Sequence, residues 1–129
     1  MSSKLVGLLL LLSGIVNGAP VIGVICGSML ESLYGMQIND QNLLILLRHR
    51  AVLFGLLGGF LIAAVFVPSL RTAAIVAGLI SMLSFCALAW MAAGANPAIA
   101  RIAWIDLALS LALLFALPVH LSAARMQAA

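Results

Sequence analysis

The sequence predicts an all-α membrane protein, with four transmembrane helices in one bundle and a short interfacial helix between the first and second spans. Two observations carry this expectation. Hydrophobic residues make up 66% of the 129 residues and charged residues 7%, with a mean hydropathy of +1.31. A soluble domain carries about 25% charged residues, so this chain has too little charge to cover a soluble surface. The second observation is that apolar runs recur at 5–25, 43–67, 72–91 and 99–119. Each is close to the ~20 residues that a helix needs to cross a bilayer core. Helices are the expected element, because hydrocarbon cannot satisfy open backbone groups. The whole chain, 1–129, is expected to form one membrane domain.

The first run follows Lys4 and ends in small residues around Val16, Gly18 and Ala19. That pattern also fits a secretory signal. Hydrophobicity resumes after Pro20, which favours an uncleaved first helix. Ser28 and Glu31, three apart, have the spacing of a capping box, which would start the short helix. Gly35 would stop it. Met29, Leu30, Leu33 and Tyr34 give that helix an apolar side suited to the membrane interface. The polar stretch 39–42 offers caps for the second span. Pro68 and Ser69 interrupt before the third. Asn96 and Pro97 read as cap and first helical residue of the fourth span, and Pro118 would kink or end it.

Small residues mark helix contacts. Gly14 and Gly18 form one GxxxG pair; Gly55, Gly59 and Ala63 form a longer stripe; Ala74, Gly78, Ser81 and Ser84 recur in the third span. Such faces let helices approach closely. Orientation is set by the basic residues. Lys4, Arg71 and Arg125 would face the cytoplasm with both termini. Trp90 and Trp104 fit interfacial anchors.

Arg48, His49 and Arg50 interrupt the second span. An ionisable group inside a span usually faces a partner or a cavity. Asp106 in the fourth span supplies a carboxylate at the same depth, since the second and fourth spans run in one direction. Arg48 shares a helical face with Gly55 and Gly59, and so is the preferred buried partner of Asp106. Arg50, which aligns with Phe54 and Gly58, is the next choice. His49 and Arg50 either snorkel to the interface or complete a polar cluster with Arg101, Tyr34 and Glu31. The competing reading of the pair is architectural, fixing helix register without chemistry.

The segments NLLILLRHRAVLFGLLGGF, PSLR, AGLISMLSFCALAW and RIAWIDLALSLALL resemble a group of small bacterial four-helix membrane proteins of uncharacterised activity. Some members carry a phosphopantetheine adenylyltransferase label. The resemblance runs from Leu33 to Leu114 and implies the fold and a location in the bacterial inner membrane. The nucleotidyltransferases of that label are soluble α/β proteins with a T-x-G-H-x-x-H-type motif, and this chain has none.

Nothing in the chain matches HExxH, CxxC or a P-loop. Cys26 and Cys86 fit no metal or redox spacing, and His49 and His120 fall near opposite membrane faces. No cofactor, metal or catalytic residue is therefore expected. The scattered basic residues show no nucleic-acid patch. The leading expectation is a non-catalytic accessory, assembly or scaffold module of the membrane, partnered by the bilayer and by a larger complex or further copies of itself. The alternative is a binder or carrier of a lipid, quinone or other small amphiphile. A small dimeric transporter ranks below both, because the first span offers only Asn17 where small multidrug carriers use a carboxylate.

Overall fold

The computed structural model describes residues 3–128, and no strand occurs among them. The α-helices are α1 (Ser3–Gly18), α2 (Gly27–Tyr34), α3 (Gln41–Phe66), α4 (Arg71–Met91) and α5 (Pro97–Ala128). Short 3-10 segments, Ala19–Val24 and Pro68–Leu70, extend α1 and lead into α4. Each begins with a proline at its first turn, where the missing N–H costs no hydrogen bond. Four stretches are long and apolar enough to cross a membrane: Ser3–Val24, Gln41–Phe66, Pro68–Met91 and Pro97–Ser122.

Helix α1 packs along α3, α3 against α4, α4 along α5, and α5 back against α1, which closes a four-helix ring. Its centre holds Val6, Leu10, Leu61, Ile75, Met82 and Leu113. Helix α2 touches the first 3-10 segment, α3 and α5. It therefore covers one end of the ring, where Leu30 and Tyr34 pack with Ala51. Large apolar side chains such as Ile15, Leu56, Ile80 and Phe115 remain exposed around the outside.

At Gly58 helix backbone meets helix backbone. A Cβ there would lie 2.6 Å from the Gly14 carbonyl oxygen and 2.8 Å from the Gly18 Cα. Gly14 and Gly18 thus form the expected contact face, and Gly78 sits against Leu61 and Leu113. The expected stripe on α3 is different. Gly59 meets nothing within 4 Å, and Gly55 faces Val21 of the 3-10 segment. Ala63 is only partly buried. Gly55, Gly58 and Gly59 give α3 two candidate small faces, and only the position of α1 selects Gly58.

Helix ends follow local chemistry, with three departures. Gly35 closes α2 at φ 63°, the left-handed conformation that costs glycine least. The Asp40 carboxylate accepts the Asn42 N–H at 2.8 Å and starts α3. The Asn96 side chain accepts the Ile99 N–H at 2.9 Å and donates to the Tyr34 carbonyl at 2.8 Å, which ties α5 to α2. The capping box does not form. Helix α2 begins at Gly27 after Cys26, so Ser28 is already inside it and bonds the Cys26 Sγ at 3.0 Å. Glu31 instead accepts the Ile38 N–H at 2.8 Å and braces the turn to α3. Nor does Pro118 end a helix, because α5 continues through it.

Arg71 is the third departure. It is 7% exposed and does not sit in a loop. Its guanidinium donates to the carbonyls of Ala64 and Val65 at 3.2 and 3.0 Å, and to the Ser3 hydroxyl at 2.7 Å. Those carbonyls belong to the last turn of α3, where intrahelical donors run out and a cation is favoured. Arg71 thus joins α1, α3 and α4 at the end opposite α2. The Arg125 side chain lies outside the described residues.

Gly58→Ala should destabilise the bundle by at least ~1–3 kcal/mol, the usual cost of overpacking, because the obstruction is backbone. Gly59→Ala should be neutral or stabilising by up to ~1 kcal/mol, since alanine is the better helix former. Thermal unfolding of both variants in detergent, followed by circular dichroism, checks this contrast; equal melting shifts would contradict it.

Candidate functional site

Arg50 and Asp106 each stand nine residues beyond the first residue of their helices. At about 1.5 Å per residue, both lie roughly 14 Å into the bundle from the α2 end. Both line one internal cavity of about 290 Å3, together with Tyr34 of α2 and Asn17 of α1. The rest of its wall is mostly apolar, with Phe54, Phe85 and Ile102 among the contributors. The cavity opens outward past Ile15 and Ile105, which are exposed on α1 and α5.

The Arg50 guanidinium lies 4.9 Å from the Phe54 ring centre, 5.1 Å from that of Phe85 and 5.5 Å from that of Tyr34. Aromatic faces attract a cation, and one such contact contributes about 0.5–2 kcal/mol depending on desolvation. Three rings from three helices therefore hold the charge in place. On its other side Arg50 borders a wider groove of about 720 Å3 between α3 and α4, which includes Leu57, Ser84 and Leu88. Arg50, Phe54 and Phe85 are common to both spaces and form the wall between them.

Asp106 is 9% exposed. Among the described residues it forms no salt bridge and no hydrogen bond. Tyr34 is 3% exposed, and its hydroxyl is buried without a hydrogen-bond partner. Burial pushes the Tyr34 phenol above its ordinary pKa, with Arg50 pulling the other way, so it stays protonated as a donor at neutral pH. Asn17 donates to the Ser13 carbonyl at 2.9 Å. The cavity is thus lined by residues that carry a cation, a carboxylate and a phenol, none bonded to another; the phenolic oxygen itself is covered, so Tyr34 lines the space with its ring.

This arrangement reverses the preference between the two arginines. Arg48 does not line the cavity. Its Nη2 lies 3.7 Å from where a Gly27 Cβ would be, at the start of α2, and its buried Nε has no partner. The face it shares with Gly55 packs against the 3-10 segment and α2, whereas the Arg50–Phe54–Gly58 face turns inward. His49 and Arg101 are exposed, and Glu31 is engaged in the turn. Of the expected cluster, the structure brings together Arg50, Asp106 and Tyr34. Asn17 joins them; a single amide in an otherwise apolar run was its only signal. Among the described residues no three His, Cys, Asp or Glu side chains come close enough to hold a metal ion.

A double-mutant cycle separates the two arginines. Arg50→Gln and Asp106→Asn should couple by ~0.5–3 kcal/mol, the range for groups that share a site. Arg48→Gln and Asp106→Asn should be additive within ~0.5 kcal/mol. Unfolding in detergent measures both cycles, and coupling confined to Arg48 would restore the other pairing.

The chain matches no protein-family model, no curated protein and no solved structure.

Proposed function

We propose that this protein is a non-catalytic module of the bacterial cytoplasmic membrane that holds a small amphiphile, its polar end in the cavity of Arg50, Tyr34 and Asp106. One observation carries this reading: three polar residues, two of them more than nine-tenths buried, line a mostly apolar space without bonding to one another. Burying unpaired polar groups costs free energy. A bound molecule that bonds them recovers that cost. The volume falls just below the ~300–1,000 Å3 usual for small-molecule sites, and the exposed rim between α1 and α5 suits a chain left in lipid. A lipid, a quinone or another small amphiphile fits this description.

The membrane setting is supported by the four apolar stretches and by the exposed apolar residues around the ring. In this reading α2 lies at the outer interface, with Ser28 and Ser32 exposed and Leu30 and Tyr34 turned inward, and both termini are cytoplasmic. A second reading, an accessory or scaffold subunit, is favoured by Gly59. It stays bare on the outer face of α3, where a neighbouring helix could approach closely. The two readings are compatible.

Native mass spectrometry of protein extracted with its lipids should show a retained small molecule. Ile102→Trp, which fills the cavity, should lose it while keeping the helical signal. Equal retention by both would refute the assignment.

Topology has its own probe in Cys26, which is exposed. The Ser28 hydroxyl beside it holds its thiol below the ordinary value. A lowered pKa means more thiolate at neutral pH, and the thiolate is the reactive form. An impermeant maleimide added outside spheroplasts should therefore label Cys26 with a pH midpoint below that of a free thiol. Ser28→Ala should move the midpoint up. Labelling only after the membrane is opened would invert the topology.

A further inference from the structure

Resting on that reading, we infer that the cavity selects an uncharged amphiphile whose head group carries both hydroxyl donors and oxygen acceptors, as in a monoacylglycerol or an isoprenoid quinol. The inference comes from the balance of groups on its wall. Arg50 is the sole cationic and Asp106 the sole anionic side chain among the described residues that line it. In a space poor in water, charges interact far more strongly than in bulk solution. An anionic head near Arg50 would also meet the Asp106 carboxylate. A cationic head near Asp106 would also meet Arg50, whose aromatic faces are already taken. An uncharged head avoids both repulsions.

The hydrogen-bonding inventory points the same way. The Arg50 guanidinium donates only, and a carboxylate accepts only. A ligand that satisfies both must offer an acceptor to the first and a donor to Asp106. A hydroxyl beside an ether, ester or ring oxygen does so; a plain hydrocarbon or an aprotic head does not. The chain then leaves by the exposed rim at Ile15 and Ile105. The opposite direction is closed by Arg50, Phe54 and Phe85, the wall shared with the α3–α4 groove.

The test uses the full-length protein, delipidated in detergent, with four probes at equal concentration: monoolein, decyl-ubiquinol, oleate and oleylamine. Binding is read by native mass spectrometry and by the shift in melting temperature. At least one of the two uncharged probes should bind at least tenfold tighter than oleate and oleylamine, and comparison of the two identifies which head is taken.

Charge variants provide an independent check. Asp106→Asn leaves Arg50 unbalanced and should move preference to oleate; Arg50→Gln should move it to oleylamine. Tightest binding of oleate or oleylamine by the wild-type protein overturns the inference while leaving the amphiphile reading intact. Binding of none of the four probes overturns both. Unchanged preference in both charge variants would show that the cavity pair does not set selectivity.

Discussion

The position of one charge, the Arg50 guanidinium, organises the α2 end of this molecule. It stands about 14 Å along α3 by helix geometry, among apolar side chains. It cannot be left there alone, because an isolated buried charge is strongly unfavourable. The chain meets that constraint with three aromatic faces, from Tyr34, Phe54 and Phe85, and with a carboxylate across a shared cavity. Each of these groups comes from a different turn of the chain. Helix α2 over the ring brings Tyr34 beside the guanidinium, and α4 and α5 bring Phe85 and Asp106 to the same level.

The opposite end solves the same problem by direct bonding. Arg71 makes three hydrogen bonds, two of them to carbonyls at the end of α3. Three of its five N–H donors are engaged, two of them by backbone that the helix leaves unsatisfied and one by the Ser3 hydroxyl. Arg50 makes no hydrogen bond among the described residues and is held by three aromatic rings instead. Two arginines of one small bundle, Arg71 buried and Arg50 half-buried, thus differ in kind. One is a bolt between helices. The other lines a mostly apolar cavity without a hydrogen-bonded partner, and this contrast is the physical basis for reading the Arg50 cavity as a binding site.

Between these ends the bundle relies on shape. Gly58 lets the backbones of α1 and α3 approach within the reach of a single added carbon. The opposite pairing, α4 on α5, uses larger side chains around Met82 and Leu113. The cavity opens where α1 and α5 meet, so the close and wide contacts of the ring fix which side faces outward.

Much of this architecture was legible in the sequence. The apolar runs gave the number and order of long helices, because length and hydropathy are local properties of the chain. Gly35, Asp40 and Asn96 marked helix ends, because caps act over three or four residues. The shared depth of an arginine on the second span and Asp106 on the fourth was also legible, from helical rise alone. What the sequence could not decide was rotation. Gly55 with Gly59 and Gly58 with Arg50 are alternative faces of one helix, and a repeat of small residues reads equally well on either. Only the docking of α1 on Gly58 turned Arg50 inward and left Arg48 beside α2. Arg71 passed for a loop charge for a related reason: its partners, Ala64 and Val65, are backbone carbonyls that carry no sequence signal. Helix identity is written in nearest neighbours along the chain, but which side chain shares a cavity is set by contacts between segments far apart in it.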